Sequence, residues 1–327
     1  MMSEGTLLSV DNVSIYFKRQ GGDLKVVNTI SFDVQKGEIV GVVGESGCGK
    51  SVTAAAVMGI LPQNAYYEGA IYFEGQRLSA LTAEQQRGLR GNKMSMIFQE
   101  PMTSLNPVLT VGYQIAEVLM VHRGMSKSDA MARAAELLAD VKIPSPTLRI
   151  RDYPHQMSGG MRQRVMIAMA IACNPALVLA DEPTTALDVT IAAQVLKLLR
   201  GIQEKFNMSV VLITHDLGLV SENAGRVAIM YAGRIMESAD TATLFKHPVH
   251  PYTIGLLNSI PKGRHIPLVP IPGFVPRPDR LPIGCKFSDR CGFVEPRCKE
   301  AEPELVEIEK GHFNRCILNA NASPGTI

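Results

Sequence analysis

With 327 residues, 46% of them hydrophobic and 20% charged, the chain can bury a large core, and its length fits one large domain with an appendage or two domains. A net charge of +2, from 33 basic and 31 acidic residues, excludes a field strong enough to draw it to nucleic acid or an anionic membrane. The longest notable apolar run, Val165–Cys173, is far short of a bilayer span, and Met1–Gly5 has no basic segment leading into an apolar one, so a cytosolic chain without a leader is expected.

In chain order, Leu8–Val10 and Val13–Phe17 alternate as strand residues do, and Glu38–Val43 reads as an apolar strand. Directly after it, Gly44-Glu45-Ser46-Gly47-Cys48-Gly49-Lys50-Ser51 fits the phosphate-loop pattern G-x-x-x-x-G-K-[ST], and the small and apolar residues Ser51–Met58 read as the helix that should follow. Ala70–Phe73 and Met94–Phe98 are further strands, the second ending at Gln99. From about 105 to 170 the texture turns helical, with Ala130–Val141 apolar at helical spacing and Pro144, Pro146 and Pro154 as breaks. Met157-Ser158-Gly159-Gly160-Met161-Arg162-Gln163 is a small-residue turn before the helix Val165–Ala172. Leu177–Ala180 is a buried strand ending in Asp181-Glu182-Pro183, and Val210–Thr214 is another, ending at His215. Residues 1 to about 245 therefore read as one α/β domain, and no internal repeat is visible.

The chemistry follows from residue types. Glycines let backbone N–H groups turn around phosphate oxygens, Lys50 brings a positive charge to the outer phosphates, and Ser51 offers a hydroxyl to magnesium at a helix N-terminus. Such a loop binds a nucleoside triphosphate. Asp181 and Glu182 point to opposite faces, so one can serve the magnesium shell and the other the attacking water. The turn at Ser158 opens a second helix N-terminus suited to an anion.

Six segments together make the chain resemble the ATP-binding cassette family: the phosphate loop, Gln99, the Ser158-Gly159-Gly160 signature, the Asp181-Glu182 strand, Ala186-Leu187-Asp188, and His215. The resemblance implies a phosphate-loop α/β core with an antiparallel β subdomain and a helical insertion. It implies that Gly44, Ser46, Gly47, Cys48, Gly49, Lys50, Ser51 and Val52 line the nucleotide, and that Phe17 stacks on adenine. Ser51, Gln99 and Asp181 would hold magnesium, Glu182 would be the general base, and His215 would contact the γ-phosphate. Ser158 and Gly160 would contact the ATP of a second cassette, so that two cassettes sandwich two ATP molecules head to tail, and Gly159 and Asp188 would also be nucleotide-binding residues. Met161 departs from the family's glutamine at the end of the signature.

The segments Gln99–Pro107, Gly159–Arg164 and His247–Thr253 further resemble the ATPases of oligopeptide and dipeptide importers, of the D type. That implies a peripheral subunit on the cytoplasmic face of the membrane, working with a different partner ATPase and two membrane permease subunits. An extracytoplasmic binding protein would feed them, and a coupling helix would enter a groove beside Gln99. Importers of nickel complexes or glutathione, and non-transport cassette ATPases, are the alternatives.

Residues 246–327 hold 12 of the 20 prolines and four of the six cysteines, so a small loop-rich module held by a cross-link or a metal is expected there. Cys285, Cys291, Cys298 and Cys316, spaced C-x5-C-x6-C-x17-C, leave a [4Fe-4S] cluster, a zinc ion and uncommitted thiols open, and the resemblance implies the [4Fe-4S] cluster. His312 reads as an alternative ligand or a surface histidine. Cys173 reads as core. Cys48, beside Lys50 at a helix N-terminus, is expected to be a reactive thiol with a lowered pKa.

Overall fold

A phosphate loop needs a strand, a turn and a helix in that order, and the computed structural model has the strand Ile39–Val43, the loop, and the helix Lys50–Met58. Residues 5–185, 187–260 and 270–318 are described. Met1–Glu4, Ala186 of the Ala186-Leu187-Asp188 segment, and the expected polar tail Asn319–Ile327 lie outside them. The chain divides into two compact units, one of Met1–Leu7, Val34–Glu38 and Glu74–Ile213, the other of Leu8–Asp33, Ile39–Phe73 and Thr214–Ile327.

In the first unit the strands Met94–Ile97, Leu177–Asp181 and Ser209–Thr214 run parallel in that order, in register from Met94↔Leu177 and Leu177↔Ser209. Every residue of Leu177–Asp181 and Ser209–Thr214 is buried, which is why these strands read as continuous rather than alternating apolar runs. The helix Val189–Phe206 buries Ala192, Val195, Leu196, Leu199 and Ile202 on one side, each large aliphatic contributing on the order of 2 kcal/mol. The insertion is helical as expected: Val111–Arg123, Lys127–Asp140 and Gly159–Ile171 pack on one another. Its helices start at side-chain caps, Thr110 accepting from the Tyr113 amide, Ser126 from Asp129 and Ser158 from Met161.

In the second unit the predicted strands Leu8–Val10 and Val13–Phe17 are one strand, Thr6–Phe17, with a register shift between Asp11 and Ser14 where Asn12 takes φ +51°. It lies between Leu24–Gln35 and Ala65–Phe73, the latter antiparallel to it. The phosphate-loop strand pairs in parallel with Arg226–Tyr231, which pairs antiparallel with Arg234–Asp240. His312–Asn314 then continues the same sheet, with Glu237↔Asn314 and Ser238↔Phe313 in register. Among the described residues no helix is long and apolar enough to cross a membrane.

Cys285, Cys291, Cys298 and Cys316 are free thiols, all buried except the half-buried Cys291, and among the described residues no three or more His, Cys, Asp or Glu side chains converge to hold a metal ion. Burial pushes the Cys285 thiol up to about 11, with the neighbouring Cys316, Cys291 and Cys298 adding to it.

Side-chain packing and ion pairs also hold this segment. Phe287 packs in an aromatic cluster with Tyr231 and Tyr252, at ring separations of 5.3 Å from each. Arg234 grips Glu302 through two bonds of 2.6 Å. His312 is neither a ligand nor exposed: it is buried, its Nε2 2.8 Å from the wholly buried Glu237 carboxylate, which also accepts the Val249 and His250 amides at 2.9 and 3.0 Å. His250 itself is buried, and burial lowers its pKa to about 4.

Candidate functional site

The phosphate loop leaves the buried strand Ile39–Val43 and returns as a helix capped by Gly49, whose φ of +103° is costly for any residue with a side chain. Gly44 sits hard against the neighbouring strand: a Cβ there would lie 2.1 Å from the Met230 carbonyl oxygen. Gly47, by contrast, faces open space at the solvent rim beside Ser46. Lys50 is buried, and its ammonium donates to the Gly44 carbonyl at 2.6 Å and the Glu45 carbonyl at 3.1 Å, which holds the charge at the mouth of the loop. Ser51 is exposed at the first turn of the helix and Val52 half-buried behind it. An open cradle, a fixed ammonium and an exposed hydroxyl fit a nucleoside triphosphate with magnesium. Phe17 stands half-buried at the end of its strand, opposite Ala65.

Cys48 departs from expectation. It is fully buried with Sγ 3.8 Å from Lys50 Nζ, and although the ammonium lowers its pKa, desolvation wins and the thiol is raised. The native chain should therefore resist maleimide at Cys48 at pH 7.5, reacting at least about tenfold more slowly than an exposed thiol and faster only above pH 9. Peptide mapping after timed labelling checks this; early modification at Cys48 would contradict it.

In the first unit the carboxylate strand ends at Asp181, and Glu182 turns away from it with φ +46°, a left-handed conformation unusual for a glutamate. Its amide donates to the Ile213 carbonyl at 2.8 Å. Glu182 Oε2 accepts from Gln99 Nε2 at 3.1 Å and from the Thr185 hydroxyl at 2.8 Å. Thus Gln99 and Glu182, 83 positions apart, are brought together, and both Asp181 and Glu182 are buried. A buried carboxylate held by two donors and stored in a strained backbone can accept a proton from a water it orients. Thr185 was not among the predicted residues; its position three residues after Glu182 was the one available signal.

The signature lies at the start of Gly159–Ile171, where Ser158 Oγ accepts the Met161 amide at 3.3 Å. The serine thereby also caps the helix. Gly160 is packed so closely that a Cβ would meet Ile191 Cγ2 at 2.8 Å. With Gly159, Lys142 and Asp188 these residues line a cavity of about 580 Å³. Asp188 is exposed and caps the helix Val189–Phe206 through a 2.9 Å bond from the Ile191 amide. His215 is exposed directly after the strand Ser209–Thr214, as its sequence position implied.

Residues 27–185 match the family described as ABC transporter, and residues 236–298 match the oligopeptide/dipeptide transporter C-terminal region. The oligopeptide transport ATP-binding protein AppD of Bacillus subtilis is 50% identical over 96% of this chain and 97% of its own length. The dipeptide transport ATP-binding protein DppD of Escherichia coli is 47% identical over 95% of this chain and 96% of its own. A solved structure, the dimeric post-hydrolysis state of the ATP-binding cassette MJ0796 bound to ADP and Pi, is 28% identical, with a TM-score of 0.65, over 72% of this chain and 99% of that one. The fold and the site thus define a cassette ATPase, an enzyme that couples ATP hydrolysis to transport. The chain belongs to the ATP-binding cassette transporter family.

Proposed function

We propose that the chain is the ATP-hydrolysing subunit of a membrane importer for dipeptides or oligopeptides. The observation that carries this reading is the likeness to oligopeptide and dipeptide transport ATP-binding proteins along nearly the whole chain, the C-terminal region included. In it, Glu182 is the general base, Gln99 and His215 address the attacking water and the γ-phosphate, and Asp181, Ser51 and Gln99 hold magnesium. The loop residues Gly44 and Ser46–Val52 cradle the phosphates, and Phe17 stacks on adenine. The Gln99–Glu182 pairing supports the base assignment.

Ser158, Gly159, Gly160 and Asp188 address the nucleotide of a second, different cassette in a head-to-tail dimer. The cavity that Ser158, Gly159, Gly160 and Asp188 line supports this. The subunit lies peripherally on the cytoplasmic face, beneath two permease subunits served by an extracytoplasmic binding protein. Phe98, Met102 and Val108, exposed in the segment around Gln99, are apolar surface suited to a coupling helix. The ATPase domain ends near residue 245, and 246–327 is its C-terminal extension.

The test is reconstitution with the co-purified membrane subunits. ATP turnover should rise with cassette concentration and again on adding peptide with the binding protein. Turnover independent of protein concentration would overturn the dimer, and stimulation by nickel complexes or glutathione instead of peptide would overturn the substrate.

A further inference from the structure

Glu45 occupies a variable position of the phosphate-loop pattern, one on which the motif places no demand. Yet its side chain and both of its backbone polar groups are engaged. The carboxylate accepts a two-pronged bond from Arg290, Nη1 to Oε2 at 2.7 Å and Nη2 to Oε1 at 3.0 Å. Its amide donates to the Tyr252 hydroxyl at 3.1 Å, and its carbonyl accepts the Lys50 ammonium at 3.1 Å.

Arg290, which stands between Cys285 and Cys291 in the chain, is buried, and its remaining contacts lock it. Nε donates to the Pro272 carbonyl at 2.7 Å, Nη1 lies 3.4 Å from the Tyr231 hydroxyl, and the guanidinium stands 5.7 Å over the Tyr231 ring. A planar guanidinium so held presents its fork in a single orientation, which a lysine cannot reproduce. Tyr231 and Tyr252 pack together at 4.7 Å, so the groups that fix the two ends of Glu45, Arg290 and Tyr252, are linked through Tyr231.

We propose that Arg290 is a positioning residue for the nucleotide, through which the C-terminal segment sets the shape and charge of the phosphate loop. Two effects follow from the geometry. Arg290 fixes the Glu45 peptide whose carbonyl holds Lys50, and it neutralises a carboxylate that would otherwise stand in the loop that receives the triphosphate. The proposal goes beyond the importer reading and holds whatever is transported.

The test uses the full chain and a fluorescent ATP analogue, with Arg290→Ala, Arg290→Lys, Glu45→Gln and the double variant Arg290→Ala/Glu45→Gln. Arg290→Ala should raise the nucleotide Kd about tenfold or more, since it leaves the carboxylate unpaired. Arg290→Lys should raise it less, and turnover at saturating ATP should fall far less than affinity. The double variant should recover most of the lost affinity, because the unpaired carboxylate is gone. A residue that merely fastened the C-terminal segment would gain nothing from Glu45→Gln. An unchanged Kd in folded Arg290→Ala, or a double variant no better than the single one, would overturn the proposal. If Arg290→Ala does not fold, Arg290→Lys decides, compared with Arg290→Lys/Glu45→Gln in the same way.

Discussion

A Glu182→Gln chain, assembled with its partners, is expected to lose about 10²- to 10⁴-fold in turnover while binding ATP within about threefold of the parent. The structure explains the separation of the two effects. Glu182 Oε2 accepts from Gln99 at 3.1 Å and Thr185 at 2.8 Å, and an amide oxygen at the same place can accept both, so the local packing survives. An amide cannot take a proton from water, so the step that needs a base is lost. The positive φ of Glu182 is a property of the backbone and should persist in the variant. Phosphate release and nucleotide binding, measured on the same preparation, check both halves. A variant that keeps more than roughly a tenth of the parental rate would place the base on another residue.

Gly44→Ala should weaken nucleotide binding about tenfold or more, and its cause is steric. The new methyl would lie 2.1 Å from the Met230 carbonyl oxygen and 2.8 Å from Cys48 Sγ. Met230 is buried in Arg226–Tyr231, whose parallel pairing with Ile39–Val43 leaves it little room to retreat, so the loop must move instead. Overpacking of this kind costs about 1–3 kcal/mol, or roughly 2–10 °C in melting temperature for a unit of this size. Because the displaced residues begin the phosphate cradle, affinity should fall at least about tenfold. Gly47→Ala is the informative comparison. No heavy atom lies within 4 Å of that position, so only the left-handed backbone, φ +80°, is strained, at about 1–2 kcal/mol. Equal affinity for ATP in Gly44→Ala and the parent, with equal melting temperatures, would contradict the packing argument.

Much of the site was legible in the chain because it is local. The loop of Gly44–Ser51, the carboxylate pair after Leu177–Ala180 and the turn at Ser158 each consist of a short pattern attached to a strand or helix of recognisable period. The register of Thr6–Phe17 was less so, since its shift at Asn12 interrupts the alternation without ending the strand.

The nucleotide chemistry and the kind of elements that carry it could be read from the chain alone, since those depend on residues a few positions apart. Protonation, burial and long-range pairing were decided by the tertiary structure. Cys48 looked reactive from its neighbours in the chain, but desolvation in the packed loop outweighs the Lys50 charge. His312 looked like a ligand or a surface residue until the sheet placed it on buried Glu237. The four cysteines suggested a metal because proline-rich composition argues for a weak core. Folding also adds His312–Asn314 to the sheet and packs Phe287 against Tyr231 and Tyr252. Nothing in spacing links Glu45 to Arg290, which stand 245 positions apart, because an ion pair is specified by where two side chains end up in space and not by any period along the chain.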